Sequence, residues 1–404
     1  MSVAELEAPT ESVMSTPLAS IRVAGSQLTS AIAVAMKALS KWSRIPILAN
    51  VLLESDGTQT LRATVTDLDT TVTVHIPIVS EGDRFATSVD CRALHSFVKS
   101  EKGDVAIEHY PGDDKNPSRL SLRSSTASTS FPTLPSEEYP SGIRREEHFT
   151  TAVANYIADF AAAQEAIVSA STIASREEAC GAVLMGTYLD FETPRIAATD
   201  GYVAFLDDSP FKLTSDVVAP NAIVTQSAIG AIKAIKLPKG ARANLSVQAT
   251  AQYARFAANV GGVSYLIVTR LVDGQYPSID GVIPKAPATT LWDVDRRAFV
   301  DAVKRAGAIA GDRAQMTKLS FNPGTPSGFT VSASSEISGE SSTAVPATPL
   351  CGTAVEIYFS AKTLLRALAI FNDERVTVGF TPSVAGSITS PSGSRRAIVM
   401  PLRK

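Results

Sequence analysis

The chain has 404 residues, 45% of them hydrophobic and 19% charged, with a formal net charge of −3, enough to bury sizeable cores in about three domains. No run approaches the roughly 18 consecutive apolar residues of a membrane span, and the first 16 residues, MSVAELEAPTESVMST, are acidic without a basic-then-apolar export pattern. They read as a disordered tail on a cytoplasmic protein. Cys91, Cys180 and Cys351 are far apart and outside any CxxC, which argues against a disulfide framework or a zinc site and predicts three buried small hydrophobes.

In chain order, apolar spacing at three and four residues predicts helices over 26–40, 90–100, 154–170, 225–237, 295–310 and 360–371. Their starts are about 65 to 70 residues apart. Each follows a strand and a short polar start signal, such as Gly25-Ser26, Val89-Asp90, Val294-Asp295 and Phe359-Ser360. Between them lie short alternating strands such as TLRATVTDLDTTVTVHI (60–76) and YARFAANVGGVSYLIVTRL (253–271). FPTLPSEEYP (131–140) and DGQYPSIDGVIP (273–284) each close a pair of units, as Pro-rich connections between domains do. The expectation is an α+β protein: a tail (1–16), then three similar domains (17–143, 144–286 and 287–404), each made of two helix-plus-antiparallel-strand repeats.

Catalytic patterns are scarce. His75, His95, His109 and His148 have no HExxH, HxH or GxSxG context, no GxGxxG or Walker lysine is present, and Gly261-Gly262 reads as a hairpin turn. In IAATDGYVAF (196–205), Asp-Gly between two apolar runs makes Asp200 a turn former. The competing reading uses Asp67, Asp69 and Asp200 as carboxylates on a metal for phosphoryl transfer.

Charge is unevenly distributed. The helices with their C-terminal flanks hold 17 Lys and Arg against 7 Asp and Glu, which leaves 20 against 33 elsewhere. Cations at helix ends complement the dipole and explain part of this excess. Lys37, Lys41, Arg44, Lys233, Lys236, Arg296, Arg297, Lys304, Arg305, Lys362 and Arg366 all belong to one repeated element. Helices gathered on one side would form a basic surface for nucleic-acid phosphate, blind to sequence. Few aromatic residues accompany these cations, so duplex backbone suits them better than stacked single-stranded bases.

RIPILANVLLE (44–54), ATVTDLDTTV (63–72), FPTLPSEEYP, AATDGYVAF (197–205), LVDGQYPSIDGVIP (271–284) and the terminal VMPLRK (399–404) occur in this order and spacing. The chain in this respect resembles the bacterial DNA polymerase III beta subunit family, the sliding clamps, over residues 17–404. The resemblance implies a non-catalytic, cofactor-free processivity factor. Its fold would be a head-to-tail homodimer closed into a ring, with sheets outside and helices inside around duplex DNA. The implied partners are the replicative polymerase, a clamp loader and other proteins carrying clamp-binding motifs, with no membrane role.

By the same resemblance, Arg44, Arg92, Lys99, Arg176, Lys233, Arg296 and Arg297 face DNA, and Phe131 and Ile309 lie in the dimer interface or, alternatively, in the cores. The client-peptide groove would comprise Ala179 and, from the turn, Thr199, Gly201, Tyr202, Val203 and Ala204. The linker adds Pro277 and Val282, and the chain end adds Ile398, Val399, Met400, Pro401, Leu402 and Arg403. Methionine suits adaptable packing against several partners. Val203 and Ala204 stand where the family usually has arginine and leucine, Ala179 where it has leucine, and Lys404 where it has a hydrophobe. These departures point to a wider groove with one fewer cation and to a paralogue with altered client or inhibitor preference. A separate alternative is a scaffold that keeps the ring fold but has lost DNA loading.

Overall fold

The computed structural model describes residues 17–40, 45–101, 103–112, 117–149, 154–208, 210–215, 218–311, 315–324 and 328–403. The expected tail, Lys41, Arg44 and Lys404 lie outside them. Two compact units are formed, one from the described parts of 1–145 with 234–241 and 257–267, the other from 146–233, 242–256 and 268–404.

The first unit contains β1 (Ala19–Ala24), α1 (Gly25–Ala35), β2 (Asn50–Ser55), β3 (Thr60–Thr66), β4 (Thr70–Ser80), β5 (Phe85–Asp90), α2 (Cys91–Val98), β6 (Asp104–Tyr110), β7 (Arg119–Arg123) and β8 (Ser128–Pro135). The strands run in the order β1-β6-β7-β8-β5-β2-β3-β4, and β4 returns to pair with β1. Period-two burial puts Ala19, Ile21 and Val23 of β1 inward, and α1 buries Leu28, Ala31, Ile32 and Ala35. Asp90 Oδ1 caps α2 by accepting from Ala93 N at 2.7 Å. The expected start signal at Ser26 works differently, because α1 has no side-chain cap and Gly25 N donates to Gly103 O at 2.9 Å instead.

The second unit begins with β9 (Asn155–Asp159), α3 (Phe160–Ile173), α4 (Ala182–Met185), β10 (Thr187–Asp190), β11 (Arg195–Thr199), β12 (Val203–Asp208), β13 (Lys212–Leu213), β14 (Ala222–Val224) and α5 (Gln226–Ala234). After β15 (Asn244–Ala249) come β16 (Tyr253–Val260) and β17 (Val263–Arg270), which carry the chain between the two units and meet at Gly261 and Gly262, both with positive φ. It continues through β18 (Thr290–Asp295), α6 (Arg296–Ala310), β19 (Met316–Phe321), β20 (Phe329–Ser335), β21 (Gly339–Ala344), β22 (Ala347–Gly352), β23 (Val355–Ser360), α7 (Ala361–Leu368), β24 (Arg375–Phe380), β25 (Gly386–Thr389) and β26 (Arg395–Val399). A nine-stranded sheet runs β14-β10-β11-β12-β26-β25-β24-β18-β22, and a four-stranded one β21-β20-β19-β23. The β12–β26 pairing joins segments almost 200 residues apart, with Val203 opposite Val399 and Asp207 opposite Arg395. Helices α6 and α7 pack closely because Gly307 has no side chain: a Cβ there would lie 2.8 Å from that of Ala361.

All six expected helices occur, with one displaced start. Residues 155–159 form a strand, so α3 begins at Phe160, where Asp159 Oδ1 accepts from Ala162 N at 3.0 Å. The cysteine expectation holds only for Cys91, since Cys180 and Cys351 are exposed. Among the described residues no helix is long and apolar enough to cross a membrane.

Candidate functional site

The turn between β11 and β12 is built by its own side chains. Asp200 Oδ1 accepts from the backbone N of Tyr202 at 2.9 Å and of Val203 at 2.8 Å. Thr199 Oγ1 donates to Val203 O at 2.8 Å and accepts from Gly201 N at 3.1 Å. Gly201 adopts φ +89°, which a side chain would resist. Asp200 is therefore a turn former, and its second oxygen, Oδ2, is ion-paired with Nη1 of Arg366 on α7. The Arg366 Nη2 donates to the carbonyls of Thr172, at 3.2 Å, and Ile173, at 2.9 Å, at the end of α3.

An apolar cluster of Ala197, Ala204, Leu206, Ile223, Tyr276, Ile279 and Ile398 lies on one face of the nine-stranded sheet. Tyr276 anchors it: its hydroxyl accepts from Thr199 N at 2.9 Å, and its ring stacks on Tyr188 at 4.7 Å. Burial pushes the Tyr276 phenol up to about 12, with Asp200 and Tyr188 adding to the shift against the Thr199 hydrogen bond.

The residues expected in the groove divide by environment. Ala204 and Ile398 belong to this cluster. Thr199 is tied to it through Tyr276. Tyr202 (68% exposed), Met400 (44%) and Val282 (40%) are exposed apolar side chains, and Met400 N donates to Tyr202 O at 2.9 Å. Gly201, Pro277 and Arg403 are exposed, while Pro401 and Leu402 are half-buried, with Leu402 N donating to Tyr358 O at 2.7 Å. Val203 and Val399 are buried and, by strand alternation, point to the opposite face from Ala204 and Ile398. Ala179 is exposed on the short turn Glu178–Cys180, outside the cluster.

Sequence reasoning missed Val183 and Leu184 of α4, which pack against the cluster. It also counted Arg366 among the phosphate-binding cations, whereas the guanidinium is occupied by Asp200 and α3. A cavity of about 590 Å³ beside the turn is lined by Arg176, Cys180, Asp200, Tyr202, Lys362 and Arg366, among others. Another of about 600 Å³ lies beside the linker and includes Tyr188, Arg195, Tyr276 and Pro277.

Arg92, Lys99, Arg176, Lys233 and Arg297 are exposed. Arg296 is half-buried, and its Nε donates to Asp373 O at 2.7 Å. Arg44 lies outside the described residues. His95 on α2 is held below the usual histidine range by burial and by the charges of Lys99 and Lys37. Phe131 on β8 is buried and meets Phe97 edge-on at 6.3 Å, while Ile309 on α6 is half-buried.

Asp67 has the same turn role as Asp200: its Oδ1 accepts from Asp69 N at 3.1 Å and Thr70 N at 2.6 Å. Among the described residues no group of three or more His, Cys, Asp or Glu could hold a metal ion.

The DNA polymerase III beta subunit N-terminal domain model matches residues 19–142, and the C-terminal domain model of the same subunit matches residues 280–403. The beta sliding clamp of Salmonella typhimurium is 25% identical over 371 residues, covering 89% of this chain and 93% of the relative. The beta sliding clamp of Caulobacter vibrioides is 26% identical over 295 residues, covering 69% and 72%. Among solved structures, the DNA polymerase sliding clamp from Pseudomonas aeruginosa superposes with a TM-score of 0.79 at 20% identity, over 96% of this chain and all of the other. A sliding clamp from the same organism bound to griselimycin gives 0.80 at 19% identity with the same coverage.

Proposed function

The chain belongs to the DNA polymerase III beta subunit family, the beta sliding clamps, and on that premise we propose that it encircles duplex DNA and tethers a replicative polymerase to it. Two copies close head to tail into a ring of six domains, each copy contributing 17–143, 144–286 and 287–404. Helices line the hole and sheets form the rim. Phe131 of one copy meets Ile309 of the other in a heterologous contact that closes after two subunits. Arg44, Arg92, Lys99, Arg176, Lys233, Arg296 and Arg297 supply loose phosphate contacts, so the ring slides while enclosure prevents escape. It catalyses no reaction, needs no cofactor and works in the cytoplasm.

Clients, among them the polymerase and the clamp loader, insert a short peptide ending in hydrophobic residues into the groove between the second and third domains. The observation that carries the groove is the β12–β26 pairing, which sets the TDG turn beside the chain end, with Ala204 and Ile398 of the two strands in one apolar cluster and Tyr202 and Met400 exposed next to them in sequence. To the sequence-derived set we add Val183 and Leu184 as floor residues.

Titration of a labelled clamp-binding peptide, with light scattering of the free protein, tests both parts. Saturable binding lost in Met400→Ala, and the mass of a dimer, support the reading. A monomer, or a peptide that ignores the Met400 substitution, refutes the corresponding part.

A further inference from the structure

We propose that Arg366 is a positioning residue of the client groove, a latch that sets where the TDG turn stands; the role rests on the client-groove reading above. The two oxygens of Asp200 divide their work. Oδ1 takes the backbone N–H groups of Tyr202 and Val203 and gives the turn its shape, while Oδ2 takes the Arg366 guanidinium. Shape and placement therefore reside in different atoms.

The guanidinium is itself held in place. Arg366 lies in the last turn of α7, whose Leu364 and Leu368 are buried, so its stem starts from a packed helix. Its Nη2 meets the carbonyls of Thr172 and Ile173 at the end of α3. Those carbonyls have no partner within α3 and carry the negative end of the helix dipole. One planar fork joins α7, the end of α3 and the β11–β12 turn, a geometry that a lysine ammonium reproduces only in part.

The turn needs such an anchor because its tip has little other packing. Tyr202 is 68% exposed, and its carbonyl accepts from Met400 N, so displacement of the turn also displaces the chain end. Without the latch the turn keeps its local hydrogen bonds but samples several placements. A client then binds only the competent fraction, which weakens its apparent affinity.

The test titrates a labelled clamp-binding peptide against the full-length wild type, Arg366→Ala, Arg366→Lys, Asp200→Asn and the Asp200→Asn/Arg366→Ala double variant, with thermal melts of each. Asp200→Asn retains an acceptor oxygen for the turn and removes the carboxylate that faces Arg366. Both Ala and Asn single variants should weaken the peptide by about fivefold or more. The double variant should be no weaker than the worse single one, because both remove the same interaction. Arg366→Lys should recover part of the loss, which a merely structural deficit would not do.

Wild-type affinity in both single variants overturns the proposal, as does full additivity in the double variant. If the wild-type protein is retained on circular DNA but binds no peptide, the groove reading itself fails and the latch role fails with it.

Discussion

The Nε of Arg395 lies 2.9 Å from Oδ2 of Asp207, directly across the paired strands β26 and β12. Arg395 Nη1 also reaches Glu165 Oε1 on α3 at 2.5 Å and Ile370 O beyond α7 at 3.1 Å. Burial alone would lower the pKa of Arg395, but Glu165 and Asp207 outweigh it and hold the guanidinium charged. For Asp207, 7% exposed, burial outweighs the single cation and pushes the carboxyl up.

Arg395→Ala should therefore leave a buried carboxylate without a counter-ion and cost about 3 kcal/mol in chemical denaturation. The pH dependence follows from the raised value. The unfolded chain releases the Asp207 proton first, so the variant's deficit relative to wild type should be smallest in acid and grow as pH rises above about 4. A variant whose deficit is constant across pH would contradict this assignment.

Thiol chemistry should separate the three cysteines. Burial pushes the Cys91 thiol up to about 12, with Asp90 adding to the shift and Arg92 opposing it, whereas Cys180 and Cys351 are exposed. An aromatic disulfide reagent at pH 8 should titrate two thiols per chain in the native protein and the third only on unfolding.

Asp56 should matter in acid. Its slight burial raises the carboxyl, but the backbone N–H groups of Thr60, Gln59 and Thr58 and the Thr60 hydroxyl outweigh that and hold it at about 2. The lowered value stabilises the fold above the ordinary carboxylate range, and this contribution is lost as pH falls through about 2. Asp56→Asn should thus narrow its stability difference from wild type as the solution is acidified, measured by urea unfolding at several pH values.

Two adjacent arginines should differ on DNA. Arg297 is exposed, while Arg296 is half-buried and bonded to Asp373 O. Arg297→Ala should reduce the magnitude of the salt slope of DNA affinity by about 0.9, and Arg296→Ala by less. Equal reductions would show that Arg296 leaves its carbonyl partner for phosphate.

Much of this architecture was readable from local pattern, because helices such as α2 and α6 combine apolar spacing with an aspartate cap, Asp90 or Asp295. The TDG turn was equally legible, since Asp-Gly chemistry is local. What escaped was non-local or too short. Helix α4 has only four residues, too few to show a period, so no spacing rule brings Leu184 to the apolar cluster, whereas Ala179, expected from the family resemblance, is exposed. The contact of Arg366 with Asp200 spans 166 positions and no spacing rule anticipates it. Likewise Val203 and Val399 share a motif with Ala204 and Ile398, but strand alternation turns them to the other face of the sheet.

Enclosure of DNA is tested most directly by retention on nicked circular plasmid against the same plasmid linearised. The protein is first loaded with a cognate clamp loader and then gel-filtered in moderately high salt. A closed sliding ring should stay on the circles and run off the linear ends. Equal retention on both would mean ordinary electrostatic binding and would contradict the ring.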